Sequence, residues 1–356
     1  MKRNIGLDIA KISAMFSVIL IHNLLAGGVL EYKGLTNVQF LSIWVLENMG
    51  IVAVNIFALT TGYLMVNRKI NFRRVWNVVV QASFWASVMA AILVLSSAMA
   101  VTKYQLLRSV LAVPLGQYWY VNAYIGMMLM APFVNAGFEK FSKNMMSKIL
   151  SVVVVISVTI GYVGNFFLHD GYSSMWLLTL YALGGYIKLY VDTKKYTGSV
   201  TLGISTLMVV LSTFFDFCIF SIKHVAVIEM FTSYVSPFAV IQSLGMFIFF
   251  LNIKVKSERI FKIISFTSSL TFGAYLIDNS LFFYFLDKKL LWVVSFNPVM
   301  MIVIILGISL GLFAVFMLME YVRIWAFNKT KMDQLWGGIY DFLSGKFTLE
   351  VEHQDK

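Results

Sequence analysis

The chain has 356 residues, of which 60% are hydrophobic and 13% charged, and its mean hydropathy is +0.82. Soluble domains run at about 45–50% apolar and about 25% charged residues, so a soluble globular protein is excluded. The formal net charge of +11 does not mark a nucleic-acid binder, because Lys and Arg sit in short loops between apolar runs. The one cysteine, Cys218, excludes a disulfide and a CxxC metal site.

A membrane span needs about 20 apolar residues, which predicts an all-α polytopic membrane protein of about ten transmembrane helices. The expected spans are 8–27, 43–66, 76–101, 117–134, 148–168, 174–190, 200–221, 232–253, 264–285 and 293–322. Nineteen Lys and Arg fall at the N-terminus and within 68–74, 140–148, 188–195, 254–262 and 323–331. The alternate loops hold six: Lys33, Lys103, Arg108, Lys223, Lys288 and Lys289. That asymmetry predicts both termini in the cytoplasm. Residues 1–325 are expected to form one membrane domain and 326–356 a cytoplasmic polar tail. Within the tail, QLWGGIYDFL is amphipathic enough to lie on the inner membrane surface. Lys2 and Arg3 before an apolar run have the look of a signal peptide, but the charges that follow argue for a retained first helix.

Those charges make the first span the most informative stretch. Asp8 and Lys11 open it, and His22 follows after ten uncharged residues. An offset of eleven is about 20° from three full turns, so Lys11 and His22 share a face, about 16 Å apart along the axis. Ionisable groups within a bilayer are costly and face a bundle interior or a wet cavity. A neutral His22 can accept a proton from a hydroxyl as a general base; its plain alternative is a hydrogen bond to a neighbouring helix. Asp8 and Lys11, three apart, can pair; Lys11 then either contacts an anion or snorkels to headgroups.

The second span ends NIFALTTGYLM, where Thr60, Thr61 and Tyr63 form a hydroxyl-rich turn beside the basic loop with Arg68, Arg73 and Arg74. Such small residues also serve helix packing, and the arginines set topology or meet phosphates. The fourth span opens QYWYVNAYIG; Trp119 and Tyr120 read as an interfacial belt or as a sugar-stacking surface. In the ninth, SSLTFGAYLIDNS puts Asp278 within an apolar run, where a carboxylate needs a partner. Asp216, Glu47, His169, Asp170 and His224 are weaker candidates. No phosphate-binding glycine loop, HExxH or GxSxG elbow occurs, so a covalent serine mechanism has no support, and neither a metal nor a bound cofactor is expected.

Taken together, LDIAK (residues 7–11) with His22, then NIFALTTGYLM, QYWYVNAYIGMMLMAP and TFGAYLIDN, resemble in order the motifs of the acyltransferase-3 family of integral-membrane O-acyltransferases, particularly its surface-polysaccharide members. The family pattern is Leu-Asp-x-x-Arg followed by a histidine, a Phe-rich stretch ending Ser-Gly-Tyr or Ser-Gly-Phe, a Leu-Trp-Phe segment leading to a proline, and Tyr-Leu-Ile-His. Here Lys11 replaces the arginine, Thr61 the serine and Asp278 the last histidine; lysine keeps the charge but loses the bidentate fork.

The resemblance implies transfer of an acyl group, usually acetyl from cytoplasmic acetyl-CoA, to a hydroxyl of a cell-surface or lipid-linked carbohydrate. It further implies a bacterial cytoplasmic membrane, with acyl-CoA, a glycan and the bilayer as partners. His22 is then expected as general base, with Lys11 and Asp8 beside it. Thr61, Tyr63, Arg73, Arg74, Trp119, Tyr120 and Asp278 are expected to bind substrates. Two other readings stand beside this one: a transporter or flippase using Lys11, His22 and Asp278 as a proton relay or substrate path, and an inactive family member.

Overall fold

A computed structural model describes residues 3–69, 71–164, 168–223 and 229–352. Helices dominate, in the order α1 (Ile5–Ala26), α2 (Asn37–Gly50), α3 (Ala53–Met65), α4 (Phe72–Leu95), α5 (Lys103–Val110), α6 (Trp119–Lys140), α7 (Lys143–Ile156) and the one-turn α8 (Tyr162–Gly164). There follow α9 (Ser174–Tyr190), α10 (Gly198–Lys223), the short α11 (Glu229–Thr232), α12 (Pro237–Leu251), α13 (Glu258–Asp278), α14 (Leu281–Phe285), α15 (Pro298–Thr330) and α16 (Met332–Glu352). No strand occurs among the described residues. Lys2 and His224 lie outside them.

Each of the ten predicted spans falls on a helix. Among the described residues, eight helical stretches are long and apolar enough to cross a membrane, counting α2 and α3 as one. The remaining two predicted spans map to shorter helices, α9 with 17 residues and α12 with 15. The chain is an all-α, multi-pass membrane protein.

The loops sort to two ends. At one, the Asn4 side chain donates to the Leu251 carbonyl, Asn252 to those of Thr193 and Tyr196, Asn135 to those of Met65 and Arg68, and the Trp76 indole to the Trp336 carbonyl. At the other, Lys288 and Leu290 donate their N–H groups to the carbonyls of Ala26 and Gly27, and Gln39 donates to those of Val294 and Phe296. The segments rich in Lys and Arg therefore share one end of the bundle, as the alternation of charge requires.

At the centre stands α1, packed against α2, α3, α12, α13 and α15. Its buried residues lie all round it, as expected for a helix enclosed by others. The parallel neighbour α13 is fastened to it near both ends, through Asp8 with Ser265 and Ser268, and through His22 with Asp278. Against α3, α9 packs backbone to backbone: a Cβ on Gly62 would strike the Tyr181 carbonyl, and one on Gly184 the Leu59 carbonyl. This is small-residue packing of the kind that brings membrane helices close without a hydrophobic drive.

Four local features depart from the predicted spans. The second span is broken at Ile51–Val52, between α2 and α3. The ninth stops at Asp278 rather than 285, because Asn279 caps α13 and the Ser280 hydroxyl accepts the Phe282 N–H to start α14. The helix of the last predicted span, α15, runs 33 residues to Thr330, past the expected tail boundary. Beyond it the expected polar tail is helical: α16 folds back on α4, with Arg73 3.5 Å from Asp341 and the Trp76 and Tyr340 rings 6.4 Å apart.

Candidate functional site

A cavity of about 390 Å³ lies between α1, α3, α4, α6 and α13. Lys11 and His22 both line it, as their shared helical face predicts, together with Thr61, Arg74, Trp119 and Tyr120. It reaches from the basic end, where Lys11, Arg68 and Arg74 contribute cations, to His22 and the aromatic residues about three helical turns away.

His22 is held from behind. Its Nδ1 lies 2.6 Å from Oδ2 of Asp278, whose side chain is fully buried. In the neutral ring, a carboxylate facing Nδ1 favours the tautomer protonated there and puts the lone pair on Nε2. The Phe283 ring meets the imidazole edge-on, with centroids 5.0 Å apart, and limits its rotation. The other oxygen of Asp278, Oδ1, has no hydrogen-bond partner among the described residues. An acid lodged in an apolar run is thus accounted for by one histidine on the parallel helix.

Asp8 does not reach the cavity wall but stands under Lys11, 3.7 Å from its Nζ. It also accepts two hydrogen bonds from Arg3, at 2.6 and 3.1 Å, and one each from the hydroxyls of Ser268 (3.0 Å) and Ser265 (3.4 Å). A buried carboxylate compensated this fully is an anchor for the start of α1, and it leaves the Lys11 ammonium facing the cavity. Arg3 was legible in the sequence only as a topological charge; its fork on Asp8 needed the fold.

The wall of the second span divides. The Thr61 hydroxyl lines the cavity yet donates to the Phe57 carbonyl one turn back, at 2.9 Å. The buried Thr60 hydroxyl, also on the wall, has no partner among the described residues and is the freer group. Tyr63 faces elsewhere, stacking edge-on against Phe247 and lying under Lys188. Of the two arginines, Arg74 lines the cavity, whereas Arg73 turns outward to Asp341. The structure therefore brings together His22, Lys11, Thr61, Arg74, Trp119 and Tyr120, puts Asp278 and Asp8 directly behind the first two, and leaves Tyr63 and Arg73 outside.

Around Trp119, at the far end, the Tyr172 centroid lies at 4.4 Å, Tyr120 at 5.7 Å and Tyr234 at 5.9 Å, the last with its ring nearly parallel. Tyr275 meets Tyr120 edge-on at 5.6 Å, and its hydroxyl accepts a hydrogen bond from Asn279 at 2.9 Å. Tyr124, Tyr234, Tyr275 and Asn279 complete the wall. Sequence reading missed Tyr124 and Tyr275 because tyrosines in a membrane helix look like interfacial anchors until the bundle turns them inward. Among the described residues no group of three or more His, Cys, Asp and Glu is placed to hold a metal ion.

The site combines an oriented imidazole, a cationic approach from one end and an aromatic surface at the other. Compared with known proteins, residues 4–319 match a family model described as an acyltransferase domain, Acyl_transf_3. No curated protein and no solved structure matches the chain.

Proposed function

Since the chain belongs to the acyltransferase-3 family and is a membrane acyltransferase, we propose that it moves an acetyl group from cytoplasmic acetyl-CoA to a hydroxyl of a cell-surface or lipid-linked carbohydrate, with His22 as general base. The observation that carries the reading is the His22–Asp278 pair on the wall of a cavity whose other end is cationic.

In this reading Nε2 of His22 takes the proton of the acceptor hydroxyl while its oxygen attacks the thioester carbonyl. Asp278 holds the imidazole in the required tautomer and offsets the positive charge it gains, as the carboxylate does in other base–carboxylate pairs. Collapse of the tetrahedral intermediate breaks the C–S bond, and the imidazolium returns its proton to the departing thiolate. Direct transfer needs no protein nucleophile, in keeping with the lack of a GxSxG elbow. Lys11, Arg74 and Arg68 supply the positive charge that an anionic coenzyme would meet on entering from the basic, cytoplasmic end. The Trp119 cluster offers ring faces on which a sugar can stack. The aspartate at 278, a departure from the family's usual histidine, fits this chemistry because it contacts His22 directly. The setting proposed with this donor and acceptor is a bacterial cytoplasmic membrane.

The test is transfer of label from radiolabelled acetyl-CoA into a base-labile ester on cell-wall or lipid-linked glycan, using purified protein in lipid vesicles. Transfer by the native chain that disappears in His22→Ala supports enzyme class and base together. Undiminished transfer by His22→Ala overturns the base. No transfer from any acyl-CoA returns weight to a transporter or an inactive relative.

A further inference from the structure

The last turn of α13 does two things within five residues. Asp278 binds His22, and Asn279 donates from Nδ2 to the hydroxyl oxygen of Tyr275 at 2.9 Å. Residues three and four apart on a helix are neighbours on one face, so Tyr275 stands about one turn from the carboxylate that holds the base. Tyr275 lines the same cavity as His22 and is only 7% exposed.

The chemistry of the Asn279 contact decides what the hydroxyl can offer. A carboxamide nitrogen has hydrogens to give and no lone pair to receive one, so the proton in that bond comes from Asn279. The hydroxyl oxygen of Tyr275 is an acceptor there, and its own O–H remains to be donated. The other hydrogen-bonding group at this oxygen, the Tyr120 backbone N–H, is a donor as well, and among the described residues no acceptor for the O–H is found. A neighbouring ring shows the contrast: the Tyr118 hydroxyl donates to the Leu276 carbonyl at 2.9 Å and is spent. Tyr120 and Phe272 pack against the Tyr275 ring and fix its place.

Resting on the acyl-transfer reading above, we propose that Tyr275 is a catalytic residue that donates its O–H to the carbonyl oxygen of the acyl group, with Asn279 as the positioning residue that keeps that hydrogen free. The step balances as follows. The acceptor oxygen forms a bond to the acyl carbon, its proton goes to Nε2 of His22, and the carbonyl π pair moves onto oxygen, where Tyr275 hydrogen-bonds the oxyanion without transferring its proton. The pair then returns, the C–S bond breaks, and His22 delivers the proton to sulfur. A donor fixed beforehand in a largely water-free site stabilises the charge where it develops and needs no reorganisation.

Steady-state kinetics of the full-length chain in lipid vesicles, with acetyl-CoA and extracted cell-wall glycan, test this. Tyr275→Phe keeps the ring and its packing and removes only the hydroxyl. The expected result is a fall in kcat of about 10²–10³-fold, the usual cost of losing one oxyanion donor, with both KM values within about twofold of native. Asn279→Asp places a carboxylate that accepts a hydrogen bond from the Tyr275 O–H and so occupies it, and is expected to lower kcat by at least about tenfold, again without raising KM. Tyr118→Phe serves as the control, with kcat unchanged. Native kcat in Tyr275→Phe, while His22→Ala is dead, overturns the role of Tyr275 and leaves the acyl-transfer reading standing. A change confined to KM makes Tyr275 a binding group and likewise overturns the proposal. If the native chain transfers no acyl group from any acyl-CoA, the underlying reading fails and this one with it.

Discussion

His22 Nδ1 and Asp278 Oδ2 sit 2.6 Å apart although 256 residues separate them in the chain. Two parallel helices, α1 and α13, make that contact. The fastening of α1 to α13 at the opposite end, through Asp8, sets their relative height.

The pair is expected to behave as a unit in which the carboxylate fixes the tautomer. Asp278→Asn keeps the shape but can present its amide to Nδ1, which would put the ring hydrogen on the wrong nitrogen. Acetyl transfer is expected to drop about 10²–10⁴-fold in kcat with little change in donor KM, measured by label incorporation in vesicles. Native kcat in Asp278→Asn would show that the aspartate only fills space.

Lys11 and Arg74 are expected to act on donor affinity rather than on chemistry. Losing one charge-assisted contact worth about 1.5–3 kcal/mol raises donor KM by about 10–100-fold in Lys11→Met or Arg74→Ala. Because a guanidinium can grip an anion through two bonds, Lys11→Arg is expected to lower donor KM. Titration of acetyl-CoA at saturating acceptor reads each case.

Arg73→Ala and Tyr63→Phe provide the counterpart. Both residues lie off the cavity, and the Arg73–Asp341 contact is exposed, a kind worth at most about 1 kcal/mol. Turnover within about twofold of native is expected for each. A large loss in either would place the substrate somewhere other than the cavity containing His22.

Gly273 tests the packing that supports the site. Its missing Cβ leaves room for Glu320, a buried carboxylate bonded to Trp85 (2.7 Å), Gln81 (3.0 Å) and Arg323 (2.7 and 2.9 Å). Gly273→Ala would push the Glu320 side chain off these partners. A stability loss of about 1–3 kcal/mol is expected, seen as a lower thermal unfolding midpoint in detergent. An unchanged midpoint would mean that α13 and α15 can shift apart without cost.

Much of the fold was legible because membrane helices announce themselves by length and apolarity. The sorting of loops followed from Lys and Arg alone. Lys11 and His22 could be put on one face because both belong to one helix, where periodicity is a reliable guide. Residues from different helices were harder. Nothing in the sequence distinguishes Arg73 from Arg74, adjacent and chemically identical, until the packing of α4 against α16 turns one outward. Tyr63 and Thr61 pose the same problem two positions apart. Asp278 read as a departure from a family pattern and resolved only when α13 was placed beside α1. Its helix end was hidden too, since Asn279 and Ser280 break an otherwise continuous apolar run by capping chemistry.

Because α1 is one uninterrupted helix from Ile5 to Ala26, Lys11 and His22 cannot change their separation of about 16 Å without breaking it. The cavity therefore carries a built-in gauge. A donor is read against that fixed backbone spacing, which only the reach of the flexible Lys11 side chain can shorten. On the acyl-transfer reading, selection among donors is then expected to fall on the length of the carrier arm, while the ring faces around Trp119 are left to the sugar.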